Sequence, residues 1–409
     1  MGFPEQEHFV NEDVSANVVI VVRVAGVAVG AATLFMLTVA AVPAAGGQGV
    51  VASVAGTSPP GFAGDGGPAT RAKMNEPRMM AFDAAGNMYI VDTFNHLIRK
   101  VDTRGTITTV AGRFGGYVPR NDQDCKVDFS GEGVPATEAH LSCPHSVTAD
   151  PAGNLYIADS SNNVVRKVDP SGTITTVAGR GGVWADAGEG GPAAQAKLAD
   201  PKSVVLDRNG NLLIADSGND KIKKIDMASG VITTIAGTGK ARFSGDGDPA
   251  TKAQLNEPRT LAVGPDGTIY VTEPKSNRVR MIHPSGNIST FAGTGKAGFS
   301  GDGGPATKAQ LNFVRGVGVD GAGTVFLVDS LNQRIRKVDA HGIITTVAGR
   351  GKVCYFTATD NCGDGGPALQ AGFATPRAVD VDSAGNLFVA DTFNERIRRI
   401  ESFAAPVHR

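Results

Sequence analysis

From residue 50 onward the apolar positions fall in short runs rich in Val, Ile and Thr, each closed by Gly, Asn or Asp. Such runs read as strands and such closures as turns. The clearest succession is Pro201-Lys-Ser-Val-Val-Leu-Asp207, Gly210-Asn-Leu-Leu-Ile-Ala-Asp216, Lys221-Ile-Lys-Lys-Ile-Asp226 and Ile232-Thr-Thr-Ile-Ala-Gly237. Equivalents of Pro201 stand at Pro77, Pro144, Pro258, Val314 and Pro376, 56 to 67 residues apart, which makes six units of four strands. Fours of strands at this spacing describe blades around a channel, whereas a linear solenoid would carry polar end caps that this chain lacks. The expectation is an all-β, six-bladed β-propeller with four-stranded antiparallel blades over residues 50–403. Its blades lie near 77–112, 144–179, 201–237, 258–293, 314–349 and 376–401. The last unit stops after three strands, and Val51-Ala-Ser-Val-Ala-Gly56 has the form of the missing fourth. Pairing it there closes the ring and removes an exposed edge.

These repeats resemble the NHL-repeat family. The shared pattern is Pro-Arg-x-Val-x-Val-Asp, Gly-Asn-Leu-Tyr-Ile-Ala-Asp, Asn-x-Arg-Ile-Arg-Lys-Val-Asp and Ile-Thr-Thr-Val-Ala-Gly, matched best at residues 144–179 and 376–401. The Gly-Phe-Ser-Gly-Asp-Gly-Gly-Pro-Ala-Thr-Lys-Ala-Gln-Leu loops are similar to those of exported bacterial members. The resemblance implies the propeller fold and a wide set of roles: receptor sensor domains, adhesion ectodomains, RNA binding and an amidating lyase.

The first 49 residues differ. Residues 18–42 are almost wholly apolar, and the uninterrupted part, 24–42, is long enough to span a bilayer. A cleaved signal with Arg23 as its positive flank, ending at Val42-Pro43-Ala44, competes with an uncleaved anchor helix and with a buried helix. The acidic stretch ahead suits neither export reading, and translation starting near Val21 or Val22 would remove it. Either export reading places the propeller outside the cytoplasm, secreted or membrane-anchored, with 404–409 a short tail. Membrane contact is expected through the N-terminal segment only.

The net charge is −1, and the leader holds four acids (Glu5, Glu7, Glu12, Asp13) against Arg23. The remainder is close to neutral, without the basic excess a nucleic-acid partner requires. The four cysteines sit as one pair in each of the two longest crossovers, without Cys-x-x-Cys spacing. Two local bridges, Cys125–Cys143 and Cys354–Cys362, are expected, with free buried thiols the alternative.

The crossovers between units carry about 20 residues, and long loops on a rigid scaffold are where function concentrates. Each holds a Gly-acid-Gly: Asp65, Glu132, Glu189, Asp246, Asp302 and Asp364. They are read as local caps of a short helix that opens with Pro. A cation ring is the other reading, although calcium loops gather several ligands from one segment. A second ring follows the first strand's Pro: Arg78, His145, Lys202, Arg259, Arg315 and Arg377, each with an acid fourteen residues on (Asp92, Asp159, Asp216, Glu273, Asp329, Asp391). A hairpin about Ala85 would set 78 opposite 92 and give each blade a cross-strand ion pair. Structural pairing is the leading reading of the basic ring, and a polar rim orienting an anionic group is the second.

Departures from the repeat complete the candidates. His145 replaces Arg or Lys, and Asp380 stands where other blades have Ala81, Thr148, Val205, Ala262 and Gly318. Tyr117, Trp184 and Tyr355 lie in crossovers, Trp184 as a stacking residue or as a replacement for Phe62, Phe243 or Phe299. The expected function is a binding module for a peptide, glycan or protein on the crossover face, without a cofactor, using Arg78, His145, Arg377, Asp380, Tyr117, Trp184 and Tyr355. The alternative is a metal-dependent hydrolase or lyase, lactonase-like or amidating-lyase-like, in the channel. For that reading only His145 lies on an inner strand, with His140 before it, while His96, His283 and His341 fall in turns. Three convergent imidazoles are not available for zinc, and no Gly-x-Ser-x-Gly occurs.

Overall fold

An aspartate sets the turn between the first two strands in five of the six units, the fourth having Gly264 in its place. Oδ1 of Asp83 accepts from the backbone N–H groups of Ala85 and Asn87, an Asx arrangement, and Gly86 follows at φ 83°. Strands Pro77–Phe82 and Met88–Asp92 leave that turn, and Leu97–Val101 and Ile107–Ala111 complete the first blade. The second strand is buried along its whole length, which is why it reads as a continuous apolar run and not as an alternation. In this computed structural model, residues 20–29, 32–41, 49–116, 121, 124–126 and 128–401 are described.

All six units form such blades, the second and fifth gaining a short fifth strand from the preceding crossover, Val134–Pro135 and Gly304–Pro305. The sixth blade takes Ala378–Val381, Leu387–Asp391 and Arg396–Ile400, and its outer strand is Val51–Ala55. The register is antiparallel, with Ile397 opposite Ala55 and Ile400 opposite Val51. The displaced fourth strand therefore closes the ring as the repeat predicts. The ring is held by six apolar clusters, each between neighbouring blades. Met80, Met88 and Ile90 of the first blade meet Ala378, Phe388 and Ile397 of the last, so the seam is packed like the other interfaces.

Separate from the propeller unit, Ile20–Val29 and Ala32–Ala41 pair as an antiparallel hairpin. The apolar run takes strand form here, where the anchor and buried readings expected a helix. Its density of Val favours the extended backbone. Among the described residues no helix is long and apolar enough to cross a membrane.

Both expected bridges are formed, Cys125–Cys143 and Cys354–Cys362, and no described cysteine is free. Two outcomes follow. Deleting residues 50–56 should bare the edge of Arg396–Ile400, broaden the denaturation transition and raise light scattering; a deletion variant that melts like the parent would refute closure. Alkylation without reduction, followed by peptide mapping of exported protein, should find the two linked pairs and no modified thiol. Four modified cysteines would contradict the pairing.

Candidate functional site

The crossovers are fixed to their blades by a base in the third strand. Arg99, Arg166, Lys223, Arg280, Arg336 and Arg398 are buried, each next to a bulge in the pairing of the third strand with the fourth. Arg99 lies 3.2 Å from Asp92 at the end of the second strand and 2.6 Å from the crossover Asp65. Arg280, Arg336 and Arg398 repeat this between Glu273 and Asp246, Asp329 and Asp302, and Asp391 and Asp364. A crossover aromatic covers the guanidinium in five blades: Phe62, Phe129, Phe243, Phe299 and Phe356 lie 4.7–5.1 Å from it. The third blade has Lys223 instead, and Asp186 stands three residues before its crossover acid, where most blades have Phe. Lys223 pairs with Asp186 at 3.0 Å and with Glu189 at 3.5 Å. An ammonium cannot stack as a planar guanidinium does, and a second ion pair takes over.

This corrects two expectations. The crossover acids are not helix caps: the short 3-10 turns after each Pro carry no side-chain cap. Asp65 instead binds Arg99 and accepts from the Thr109 hydroxyl at 2.7 Å. The second-strand acids do not pair with the base fourteen residues earlier. Pro77 faces Asp92, because the inner strand bulges between Pro77 and Met79 and carries Arg78 out of register. Burial pushes the Asp92 carboxyl up to about 6, against hydrogen bonds from Asn95 and the Asn75 N–H and the charge of Arg99. Asp159, Asp216 and Glu273 are pushed up to about 7 by the same burial.

Freed from those acids, the inner-strand bases gather at the channel mouth on the crossover face. Arg78 binds Glu76 at 2.6 Å, Lys202 binds Asp200 at 2.7 Å and Arg259 binds Glu257 at 3.1 Å, each acid two residues before its base. Arg377 reaches Glu76 of the next blade at 3.2 Å. His145 donates from Nδ1 to the Cys143 carbonyl at 3.0 Å, and its Nε2 accepts from Arg78 at 2.7 Å and from Lys202 at 3.2 Å. These partners assign a neutral ring protonated on Nδ1. Burial, then the charges of Arg78 and Arg315, push Arg377 well below the ordinary arginine value.

A second repeated bond couples neighbouring blades at this mouth. The turn after each second strand ends in a left-handed residue: His96, Asn163, Asp220, Asn277, Gln333 and Glu395. Its side chain accepts from a backbone N–H of the next blade, that of Cys143, Asp200, Glu257, Phe313, Thr375 and Glu76 respectively, at 2.6–3.0 Å. Those acceptors and the third-strand bases were missed in the sequence. A fixed seven-residue step from each second-strand acid to a base in the third strand was the available signal.

The remaining candidates fall in different sectors. Arg78, His145 and Arg377 form one network. Tyr355 is 58% exposed; beside it, Asn394 donates to the Cys354 carbonyl and accepts from the Phe356 N–H. Phe393, next to Asn394, lies 5.4 Å from the Arg377 guanidinium, so Tyr355 belongs to the same sector as Arg377. Trp184 is 64% exposed in the third blade's crossover, its ring against Gly218. It does not replace the packing Phe, whose position Asp186 holds. An open cleft of about 650 Å³ nearby is lined by Phe129, Arg180, Val183 and Lys197. Asp380 is partly buried on the sixth inner strand, with the Val381 N–H as its donor. Tyr117 lies outside the described residues.

The pattern of the Teneurin NHL domain matches residues 46–130, 295–350 and 346–403, and that of the NHL repeat matches residues 141–167. Teneurin-1 of Gallus gallus is 31% identical over 237 residues, 54% of this chain and 8% of that protein's length. Protein SUPPRESSOR OF QUENCHING 1, chloroplastic, of Arabidopsis thaliana is 28% identical over 280 residues, 66% of this chain and 25% of its own length. Among solved structures, an auxiliary nutrient binding protein from Bacteroides thetaiotaomicron VPI-5482 superimposes with a TM-score of 0.60 at 16% identity, covering 87% of this chain and 76% of that one. At that identity the likeness shows the fold alone.

Asp380 gives a test of the channel. Burial pushes its carboxyl up to about 7. A raised carboxyl holds its proton more tightly in the folded chain, so its contribution falls as pH rises from about 4 to about 7. Asp380→Asn should therefore gain on the order of 1 kcal/mol near pH 8 and almost nothing near pH 4, measured by denaturant titration. A gain independent of pH would show that the carboxyl is not shifted.

Proposed function

The chain belongs to the NHL-repeat β-propeller family, and on that premise we propose that it is a binding module that recognises a peptide, glycan or protein on its crossover face, outside the cytoplasm. One observation carries this reading: the blade frame is held by the third-strand bases, whereas a second set, with Arg78, His145 and Arg377, converges on one opening of the channel. Two disulfides support an oxidising compartment. Teneurin-1 and the nutrient binding protein are consistent with a binding role. Secretion or anchoring rests on the apolar run at residues 18–42. The competing reading, a metal-dependent hydrolase or lyase, draws on Asp380 and its raised carboxyl.

The long crossover ahead of the sixth blade, pinned by Cys354–Cys362, exposes Tyr355 and is bonded through Asn394 to the turn whose Phe393 lies over Arg377. A rigid exposed aromatic beside a cation is the usual composition of a recognition hot spot. The purified protein, screened on peptide and glycan arrays, should retain a ligand. Tyr355→Ala should weaken that ligand by about 5-fold to 30-fold, the cost of about 1–2 kcal/mol for a lost anchor, with little change in melting temperature. Trp184→Ala, in the third blade, should do less. Retention unchanged in the Tyr355 variant would place the site elsewhere, and a stoichiometric metal ion on the channel axis would favour the enzymatic reading.

A further inference from the structure

The second blade's crossover aromatic lacks a neighbour that its counterparts have. In four blades the Phe that covers the buried third-strand base meets a second side chain. Phe62 stacks on Phe114 at 4.9 Å, and Arg278, Arg334 and Arg396 lie 3.8–4.0 Å over Phe243, Phe299 and Phe356. Those arginines stand two residues before the buried base, a place that Lys221 holds in the third blade, paired with Asp186. In the second blade the place belongs to Val164, which is buried. Among the described residues Phe129 has no second ring or cation beside it, and it lies against Gly181 instead. A Cβ on Gly181 would stand 2.6 Å from the ring. The cleft of about 650 Å³ lies here, with Phe129, Gly181 and Val183 in its lining beside Arg180 and Lys197.

The charges of the cleft point outward. The side chains of Arg180 and Lys197 make no ion pair or hydrogen bond among the described residues. Glu132, also in the lining, is engaged within the chain: it accepts from the Thr176 N–H at 2.8 Å and hydroxyl at 2.9 Å, and lies 3.7 Å from buried Arg166. Its charge balances Arg166, and Arg180 and Lys197 face solvent. The apolar side is exposed as well, Phe129 and Val183 by 38% each. Trp184 follows Val183, and its indole rests on Gly218, where a Cβ would stand 2.7 Å from it. That turn position holds Phe94, Ser161, Lys275, Leu331 and Phe393 in the other blades. The third blade alone gives up its side chain there, and the indole is held against the turn while most of it stays exposed.

We infer that this cleft docks an acidic peptide segment of a protein partner, with an apolar side chain against Phe129 and Val183, next to Trp184, and carboxylates at Arg180 and Lys197. Complementary charge sets the sign of the partner and suppresses neutral or basic competitors. A concave apolar lining with a few polar groups at fixed places is the usual form of a ligand site. A sugar is served less well, because the hydroxyl of Thr176 in the lining already donates to Glu132. The inference rests on the binding-module reading and adds to it a second site, in a different sector from Tyr355.

The test uses the full chain and short fluorescent peptides, read by anisotropy at fixed ionic strength. One peptide sets Leu and Phe between Asp and Glu residues, a second replaces the acids by Asn and Gln, and a third keeps the acids and replaces Leu and Phe by Ser. The first should bind about tenfold or more tightly than either of the others, and less tightly as salt is added. Arg180→Gln and Lys197→Gln should each lower its affinity about threefold to fivefold, the upper end for an exposed ion pair. Trp184→Ala should lower it about fivefold or more, as for an aromatic anchor, and Val183→Asp should abolish it by setting a like charge in the cleft. None of these side chains is buried, so the melting temperature should stay close to that of the parent in every variant. Lys308→Gln, exposed in another crossover, and Tyr355→Ala should each change the affinity less than about twofold. No binding of the acidic peptide, equal binding of either control peptide, or an equal loss in Lys308→Gln overturns the docking site. A glycan retained on the array and lost in Trp184→Ala, with the acidic peptide unbound, makes the cleft a sugar site and overturns it as well. Failure here, with an array ligand still lost in Tyr355→Ala, leaves the binding-module reading intact. Binding of the acidic peptide with no Tyr355-dependent ligand upholds the cleft and removes the other site.

Discussion

A buried cation in the third strand of every blade holds the rest of this propeller in place. Arg99 has no access to water and is paired from two directions, by Asp92 within its own sheet and by Asp65 from the crossover. Removing one partner of such a pair costs about 3–5 kcal/mol, because the other charge is left stranded. The crossover cannot leave the blade without paying for that exposure in reverse. Asn95 adds a bond from the same turn to the Gly61 carbonyl at 2.7 Å. Loops of this length are ordinarily the mobile parts of a fold. Here each is tied at a charged centre, and five of the six at an amide as well, so their exposed residues are presented in fixed places.

The third blade shows that the constraint is physical and not a matter of residue identity. Replacing guanidinium by ammonium at Lys223 removes the planar face that Phe covers elsewhere. Asp186 supplies a charge in place of that ring, and it also engages Lys221. The cleft near Phe129 and Val183 opens at this junction.

The six-fold repeat, the displaced closing strand and the two bridges were legible in the sequence, because each depends on order and spacing along the chain. The ion pairs were not. Counting fourteen residues from Arg78 to Asp92 assumes an uninterrupted hairpin, and a one-residue bulge between Pro77 and Met79 breaks the alternation on which that count relies. A second bulge between Ile98 and Arg99 marks the point where the third strand's alternation fails. Convergence at the channel mouth was partly legible: the ring of bases could be listed by position, but the sharing of Glu76 by Arg78 and Arg377 depends on the radial approach of first and last blades. The apolar run at residues 18–42 was read for its length, and its Val content expressed itself as strands.

Six equivalent corners cannot by themselves orient a ligand, since each would offer it the same contacts. Orientation has to come from the corners that differ. At the fifth and sixth corners the chain accepts a left-handed Phe313 and Thr375, a conformation that costs roughly 1–2 kcal/mol per residue outside glycine. An Asp there, as in Asp200 of the third blade, would sit more easily in that backbone. The blade frame does not need either departure, because its own charges are satisfied by the third-strand clamps and its neighbours are joined by the Gln333 and Asn277 bonds. All six corners, at Glu76, Cys143, Asp200, Glu257, Phe313 and Thr375, share that left-handed backbone, so the departure at the fifth and sixth is the side chain placed on it. The crossover that Cys354–Cys362 pins carries exposed Tyr355, and the turn bonded to it through Asn394 carries exposed Phe393. A ligand that meets those side chains meets a corner unlike the other five, and that difference is what can fix its rotational setting about the channel axis.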